Sequence, residues 1–504
     1  MVAVGLALGP IMLLLALLVG ARWSAAAAGA ASAAIAGLIA IFGFGYGSGG
    51  SGLLPALVGP LLEAVFVALT IVWIVFPALA IHEYQTRSGA TAVLGRWLSG
   101  TARDPRIAAL LVAWFFAMFL EGAAGFGTPV ALTAPILVGL GFSPVKALSL
   151  ALVGHSVGVS FGAIGTPIVP LLEASTLDPR ALSTSIMALH AALGWILAAW
   201  VYRVAGTQAG GSGTGGASLV RVASAWLFFC APALLIAWAV GPELPTLGGA
   251  LLGGLAFVTF VRWTSPPGHD EGGPTARELL ASAAPYVVIL LLVLVTRLLV
   301  PLQQMLRDIQ MEWTLTGQFG GSVALLYHPG TMLFAGLVIT GGLRKDGLRQ
   351  IVLAARCAAV RIPVVAAALV AVLLLARLMV HAGMIDTLAT AAAQTLGSSW
   401  ALAAPAAGAL GTFVTGSATA SNILLGSFQH ATATAAGIAP LLIIAAQGFG
   451  AAIGNIIAPH NIVAGAATVG LIGREGEVLK RTLPVFALYV AAGGLLVLAL
   501  SLLI

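Results

Sequence analysis

Phe119-Leu120-Glu121-Gly122-Ala123-Ala124-Gly125-Phe126-Gly127-Thr128-Pro129 carries a lone carboxylate into three glycines and a proline, between two apolar runs at 107–120 and 129–140. Glycine and proline interrupt a helix, and a bilayer tolerates freed backbone groups and ionisable side chains only where protein or a wet cavity covers them. The stretch therefore predicts a helix break that binds something.

Composition fixes the surroundings of that break. Sixty per cent of the 504 residues are hydrophobic, 8% are charged, and the mean hydropathy is +1.08. No soluble domain carries that balance, so an all-α polytopic membrane protein is expected, with the lipid bilayer as its first partner. The net charge of +6 raises nucleic acid as a partner. We reject it because the basic residues sit in short loops between apolar runs, as topology signals do. Cys230 and Cys357 lie in or beside apolar segments and form neither a disulfide framework nor a metal motif, so no metal or other cofactor is expected. The run 2–19 lacks a basic leader and a small-residue cleavage site and reads as a first membrane helix.

Further candidate spans are 25–41, 53–80, 147–172, 181–201, 222–240, 246–261, 279–302, 319–343, 351–380, 400–414, 423–457 and 483–504. With the first break counted either way, that predicts about 12 to 14 crossings. The loop with Arg87, Arg96, Arg103 and Arg106 is basic, as is the one with Arg344, Lys345, Arg349, Arg356 and Arg361. The loops 43–52 and 241–245 have no Lys or Arg. Cytoplasmic basic loops are self-consistent and put both termini outside.

A Gly/Ser-rich stretch at 206–220 reads as a flexible cytoplasmic linker between a half at 1–205 and a half at 221–504. The halves repeat weakly. Gly122 and Gly416, Gly154 and Gly448, and Ile168 and Ile462 share one offset, and each region ends at a polar Pro-containing turn, Gly165-Thr166-Pro167 or Pro459-His460-Asn461. Interrupted helices at matching places in two halves point to a transporter site built from inverted repeats.

Residues 119–142, FLEGAAGFGTPVALTAPILVGLGF, closely resemble the signature of the bacterial lactate and glycolate permease family. The similarity continues through Phe161–Ile168, Gly241-Pro242-Glu243-Leu244-Pro245, Pro329-Gly330-Thr331, Thr415–Asn422 and Ala467–Gly476. The resemblance implies a secondary carrier of short 2-hydroxymonocarboxylates coupled to protons, of the inner membrane, with hairpins and broken helices. By analogy with the wider ion transporter superfamily it admits elevator motion and a homodimer. Three positions depart from the family pattern: Ala418 where Asp is common, His155-Ser156 where Asn-Thr is common, and Pro459-His460-Asn461 in place of Pro-Gln-Ser.

A small carboxylate crossing mid-membrane must exchange water for helix N-terminal amides and hydroxyl donors. Gly122, Gly125 and Gly127 would bring amides close. Thr128, Ser417, Thr419, Ser421, Asn422, His460 and Asn461 would supply directed bonds, though Ser and Thr also glue small-residue helix interfaces. Glu121 is the proton-coupling candidate, or else a structural acceptor at the break. His155 titrates near neutral pH in its free form and is the second such candidate, or else a buried neutral imidazole on a carbonyl. His430 reads as a loop or helix-end residue. Arg297 and Arg377 suit a carboxylate but lie near helix ends, where snorkelling explains them. Glu63 has no evident partner, and Glu173, Asp178 and Arg180 read as loop charges.

The leading expectation is a proton-coupled symporter. A sodium-coupled carrier of the same fold is the alternative. An anion channel would want a lined pore rather than a few central polar groups. No zinc pair or nucleophile elbow is present, so no catalytic residue and no enzyme activity are expected.

Overall fold

The computed structural model describes residues 2–503 apart from 22, 49–51, 102–103, 126, 207–215, 265–273, 343–346 and 473. Most of the expected linker, together with Arg103, Phe126, Arg344, Lys345 and Gly473, therefore lies outside the described residues. Residues 216–220 are already helical.

Described in chain order, the helices begin with α1 (Val2–Leu15), α2 (Ala25–Phe44), α3 (Leu53–Arg87), α4 (Ala90–Gly100), α5 (Pro105–Ala123), α6 (Thr128–Gly139) and α7 (Pro144–Gly154). A broken segment, Ser156–Glu173, leads into α8 (Pro179–Leu193) and α9 (Trp195–Gly206). Then come α10 (Gly216–Ala239), α11 (Pro245–Thr264), α12 (Ala276–Leu298) and α13 (Val300–Asp308). After a β-hairpin the chain continues through α14 (Pro329–Gly342), α15 (Gly347–His381), α16 (Met384–Leu396), α17 (Trp400–Thr415), α18 (Ala418–Ala435), α19 (Pro440–Gly454), α20 (Pro459–Thr468) and α21 (Glu475–Ser501). Among the described residues ten helices are long and apolar enough to cross a membrane, or eleven if α8 and α9, bent by 43°, form one span. Shorter apolar helices such as α6 and α7 make up the difference from the expected count.

The run expected as a span at 319–343 starts differently. Strand β1 (Met311–Leu315) pairs antiparallel with β2 (Phe319–Val323), and the chain reverses through Thr316 and Gly317 at positive φ. Hydropathy could not see this, because the hairpin is held by distant partners. A Cβ on Gly59 would lie 2.3 Å from the Phe319 ring, and the Gly320 amide donates to Glu63 at 3.3 Å.

The weak repeat of the sequence becomes a helix-by-helix correspondence. The 35-residue α3 and the 35-residue α15 lie at the same offset as Gly122 and Gly416 and pack along each other. At that offset α4 matches α16, α5 matches α17 and α7 matches α19, each to within two residues at its start, and α6 matches α18 to within four. The units run from Leu53 to Gly206 and from Gly347 to Ser501, with α10–α14 between them. Contacts between the units are reciprocal, as a two-fold relation demands. Helix α6 meets α20 while α18 meets the end of the broken segment, and α7 meets α21 while α19 meets α8. Charge supplies the direction. The basic loop Arg87–Arg106 corresponds to residues 381–400, which hold no Lys or Arg, and basic residues 344–361 correspond to 50–67, which hold none. Equivalent loops thus carry opposite charge character, which is what the positive-inside rule asks of inverted repeats.

In each unit a helix hairpin folds back on itself. Helix α6 returns along the π-helical stretch Leu110–Phe116 of α5, and α18 returns along α17. Glycine lets the next helix approach closely. A Cβ at Gly154 of α7 would lie 2.1 Å from the Ala113 carbonyl oxygen, and one at Gly450 of α19 would lie 2.0 Å from the Pro405 carbonyl oxygen. Small residues at membrane helix crossings work this way, because dispersion and close backbone contact replace the missing hydrophobic drive.

Candidate functional site

The first break begins where α5 ends at Ala123. Gly125 at φ 59° and Gly127 at φ 77° take the left-handed backbone that side chains disfavour, and so reverse the chain. Thr128 donates to the Gly125 carbonyl at 2.7 Å, and Pro129 sits in the first turn of α6. The broken segment repeats the device. Gly165 lies at φ 78°, Thr166 donates to the Ala163 carbonyl at 2.7 Å, and Pro167 follows. Just before it, Ala163 (φ 41°) and Ile164 (φ 53°) hold positive φ without being glycine. Such backbone costs on the order of 1–3 kcal/mol per residue and persists only where packing over-determines it. Here Gly165 lies against the Pro242 carbonyl, and a Cβ at Gly162 would lie 2.2 Å from Glu121 Oε1.

Glu121 and His155 meet at this strained turn. Both are buried, with His155 Nε2 3.9 Å from Glu121 Oε2. His155 Nδ1 lies 2.7 Å from the Ala151 carbonyl, which can only accept, so Nδ1 carries a proton. Nε2 is then the free position and it faces the carboxyl group. The pair can share a proton, on Oε2 with a neutral imidazole or on Nε2 with a carboxylate. At 3.9 Å they interact electrostatically without a hydrogen bond, which leaves the carboxyl group able to take another partner.

The second break matches the first. Helix α17 ends at Gly416, φ 72°, and Ser417 caps α18 by accepting from the Ala420 amide at 3.4 Å. The two tips meet at the first turn of α20. Asn461 Oδ1 lies 3.7 Å from a Cβ built on Gly127, and the His460 side chain lies 2.9 Å from one built on Gly416. Asn461 also bonds the side chain of Asn455. Gly127, Thr128, Gly416 and Ser417 are half-buried and His460 is exposed, so the junction can be reached. The N-termini of α6, α18 and α20 converge there, and their dipoles favour an anion.

The expected site residues therefore separate into groups. Gly125, Gly127, Thr128, Ser417, His460 and Asn461 gather at the junction, with Glu121 and His155 one turn away. Gly122 instead packs on α11, where a Cβ would lie 2.5 Å from the Leu247 amide nitrogen. Thr419 is buried in the first turn of α18. Ser421 and Asn422 are committed to a buried network. Ser421 donates to the Gly408 carbonyl at 2.7 Å and Asn422 donates to the Pro167 carbonyl at 2.7 Å. Gln447 donates to both side chains at 3.2 Å and accepts from Gln429 at 3.0 Å, and Gln429 accepts from Trp400 at 2.8 Å. The network ties the second hairpin to the first broken segment. Replacing Gln447 by Leu strands several buried polar atoms and should lower stability by about 2–3 kcal/mol, read as a lower thermal midpoint in detergent.

Other charges find partners the sequence did not disclose. Glu63 lies 2.8 Å from His381 Nε2 and 3.7 Å from Arg377 Nε, while Arg377 also faces Glu173 at 3.6 Å. Arg297 is held by Glu243 at 2.9 Å, by the Tyr327 carbonyl and by the face of the Tyr327 ring, so a substrate carboxylate would have to displace Glu243. Asp178 caps α8, and His430 lies in the last turns of α18. Sequence reasoning passed over His190, which is wholly buried between Ser160 and Tyr489. Its only signal was a histidine at helical spacing from apolar neighbours.

Comparisons with known proteins give the family and the fold. The family model described as L-lactate permease matches residues 4–504. The chain is 30% identical to an L-lactate permease of Streptococcus iniae, with 71% of this chain and 77% of that one covered. It is 28% identical to a putative L-lactate permease of Haemophilus influenzae (85% and 86% covered) and 26% identical to the glycolate permease GlcA of Escherichia coli (85% and 84%). Among solved structures it shares its fold with MtrF of Neisseria gonorrhoeae, described as one of a class of antimetabolite efflux pumps, at TM-score 0.53 and 18% identity with 93% and 94% covered. The YdaH transporter of Alcanivorax borkumensis matches at TM-score 0.52 and 16% identity with 94% and 98% covered.

Proposed function

The chain belongs to the L-lactate permease family, and on that premise we propose that it carries a short 2-hydroxymonocarboxylate, lactate or glycolate, together with a proton. It is a multi-pass membrane protein, and we assign it to the bacterial cytoplasmic membrane with its basic loops inside. Its relatives are permeases, and we propose no catalytic residue. The observation that carries the reading is the buried Glu121–His155 pair, with Nε2 3.9 Å from the carboxyl group, beside the break from which α6 starts.

The substrate carboxylate would sit against the first-turn amides of α6, α18 and α20, with Thr128, Ser417 and His460 within reach of its 2-hydroxyl. Glu121 would load the proton. The anion and the proton then cross together, so that no net charge enters the low-dielectric centre. The hairpins and broken segments form the unit that moves, against α3 and α15. A homodimer through the outer face of that scaffold belongs to the same reading.

Uptake of labelled L-lactate into proteoliposomes tests it, with an inward proton gradient and no sodium. The expected result is saturable accumulation that collapses with an uncoupler and is competed by glycolate. Uptake that follows a sodium gradient instead would assign the coupling to sodium. Unsaturable flux without counterflow would make the protein a channel, and no flux of either acid would remove the substrate assignment.

A further inference from the structure

His190 on α8 is buried, carries chemistry, and has no part in the mechanism above. Its Nε2 lies 2.9 Å from Ser160 Oγ in the broken segment, and its Nδ1 lies 3.3 Å from the Tyr489 hydroxyl on α21. Ser160 also reaches the Gly448 carbonyl on α19 at 3.2 Å. The Phe449 ring covers the imidazole at 4.7 Å between centroids and stacks on Tyr489 at 5.3 Å. All three polar side chains are at most 1% exposed. One imidazole thus joins the first unit's broken segment to two helices of the second unit.

Hydrogen-bond accounting fixes its protonation. The Gly448 carbonyl can only accept, so the Ser160 hydroxyl donates to it and must accept from Nε2–H. Nδ1 is then a lone pair and receives the Tyr489 proton. The opposite tautomer would let Nδ1–H donate to Tyr489, whose own buried proton would have no acceptor among the described residues. A buried donor without an acceptor is disfavoured.

We propose that His190, held as the neutral Nε2–H tautomer by Tyr489, is a positioning residue that fixes the broken segment against the second repeat. Ser160 lies in the turn that ends in the strained pair Ala163–Ile164, and that pair packs beside Gly125 and Glu121. The Val159 side chain next to it packs on Ala418, Ala451 and Ala452. Releasing Ser160 therefore loosens the wall of the junction rather than removing a group that touches the substrate.

Two conservative variants separate positioning from packing. The side-chain amide of His190→Gln reaches the Nε2 position and still donates to Ser160, whereas that of His190→Asn reaches only the Nδ1 position. Both leave a similar void and should lose similar thermal stability. Resting on the transport reading, we expect His190→Asn and Ser160→Ala to raise the KM for L-lactate about fivefold, the order of one net hydrogen bond. His190→Gln should keep the KM near that of the unmodified protein. Equal KM values for the Gln and Asn variants, in a protein that does transport lactate, would overturn the proposal and leave the transport reading intact. A second measurement does not depend on substrate. In protein labelled with 15N-histidine, the signal lost from the eight histidines on His190→Gln should show the Nε2–H tautomer, and Tyr489→Phe should mix it with the other. An imidazolium or an Nδ1–H tautomer at His190 would overturn the proposal whatever the protein carries.

Discussion

Glu121→Gln should abolish proton-driven accumulation of lactate while exchange of labelled for unlabelled substrate continues. Glutamine has the shape of the protonated carboxyl group and cannot release a proton. The buried site it enters already holds a group of that shape beside the His155 Nε2. Exchange needs only the loaded carrier to shuttle, and the variant stays permanently loaded. Net uphill flux needs the proton to leave on one side, and the variant cannot supply it. For electroneutral symport with one proton, each unit of pH gradient drives about tenfold accumulation, since a pH unit and a tenfold concentration ratio are each about 1.4 kcal/mol. The variant should therefore level off at the outside concentration under a gradient that gives the unmodified protein about tenfold. Full accumulation in Glu121→Gln would remove Glu121 from coupling. Loss of exchange as well, in a protein that still folds, would make it a structural or substrate-binding group instead.

The sequence carried most of this site, and the reasons it stopped short are physical. Local signals were reliable. The glycine-proline break at 122–129, the glycine break at 416–417, the lone Glu121 and the offset between the units can all be read along one strand of text, because helix breaking is a local property of backbone. Which polar side chains face the junction is set by helix rotation and by distant partners. The sequence places Ser421 and Asn422 close after Ser417, but they point towards α17, α19 and the broken segment, where Gln447 and the Gly408 and Pro167 carbonyls satisfy them. Glu63 seemed unpartnered because His381 is more than 300 residues away. The correspondence of α3 with α15 was invisible to identity and plain in length and offset, since a repeated packing geometry constrains where helices start more tightly than what they contain. His190 was missed for the same reason as Gln447. A single polar residue on an apolar face has no pattern until its partners are in place.

Gly154→Ala should be among the most damaging single methyl groups in the molecule, and the repeat makes its cause testable. The new Cβ would lie 2.1 Å from the Ala113 carbonyl oxygen and 2.6 Å from that carbonyl's carbon. The obstacle is backbone on both sides, so no rotamer change relieves it. Helices α5 and α7 must separate or rotate, and α5 carries Glu121 while α7 leads directly to His155. Overpacking of this kind costs about 3 kcal/mol or more, a large part of a typical protein's stability. We expect a fall of that size in resistance to denaturation, with loss of transport at temperatures where the unmodified protein works. Gly450→Ala in the matching crossing of α19 with α17 should cost a similar amount, because its Cβ would lie 2.0 Å from the Pro405 carbonyl oxygen. Gly139→Ala is the control. It adds the same methyl group at the end of α6, where nothing lies within 4 Å, and should change stability by less than about 1 kcal/mol. If Gly154→Ala unfolded no more readily than Gly139→Ala, helices α5 and α7 would not cross in contact, and the placement of His155 opposite Glu121 would fall with that crossing.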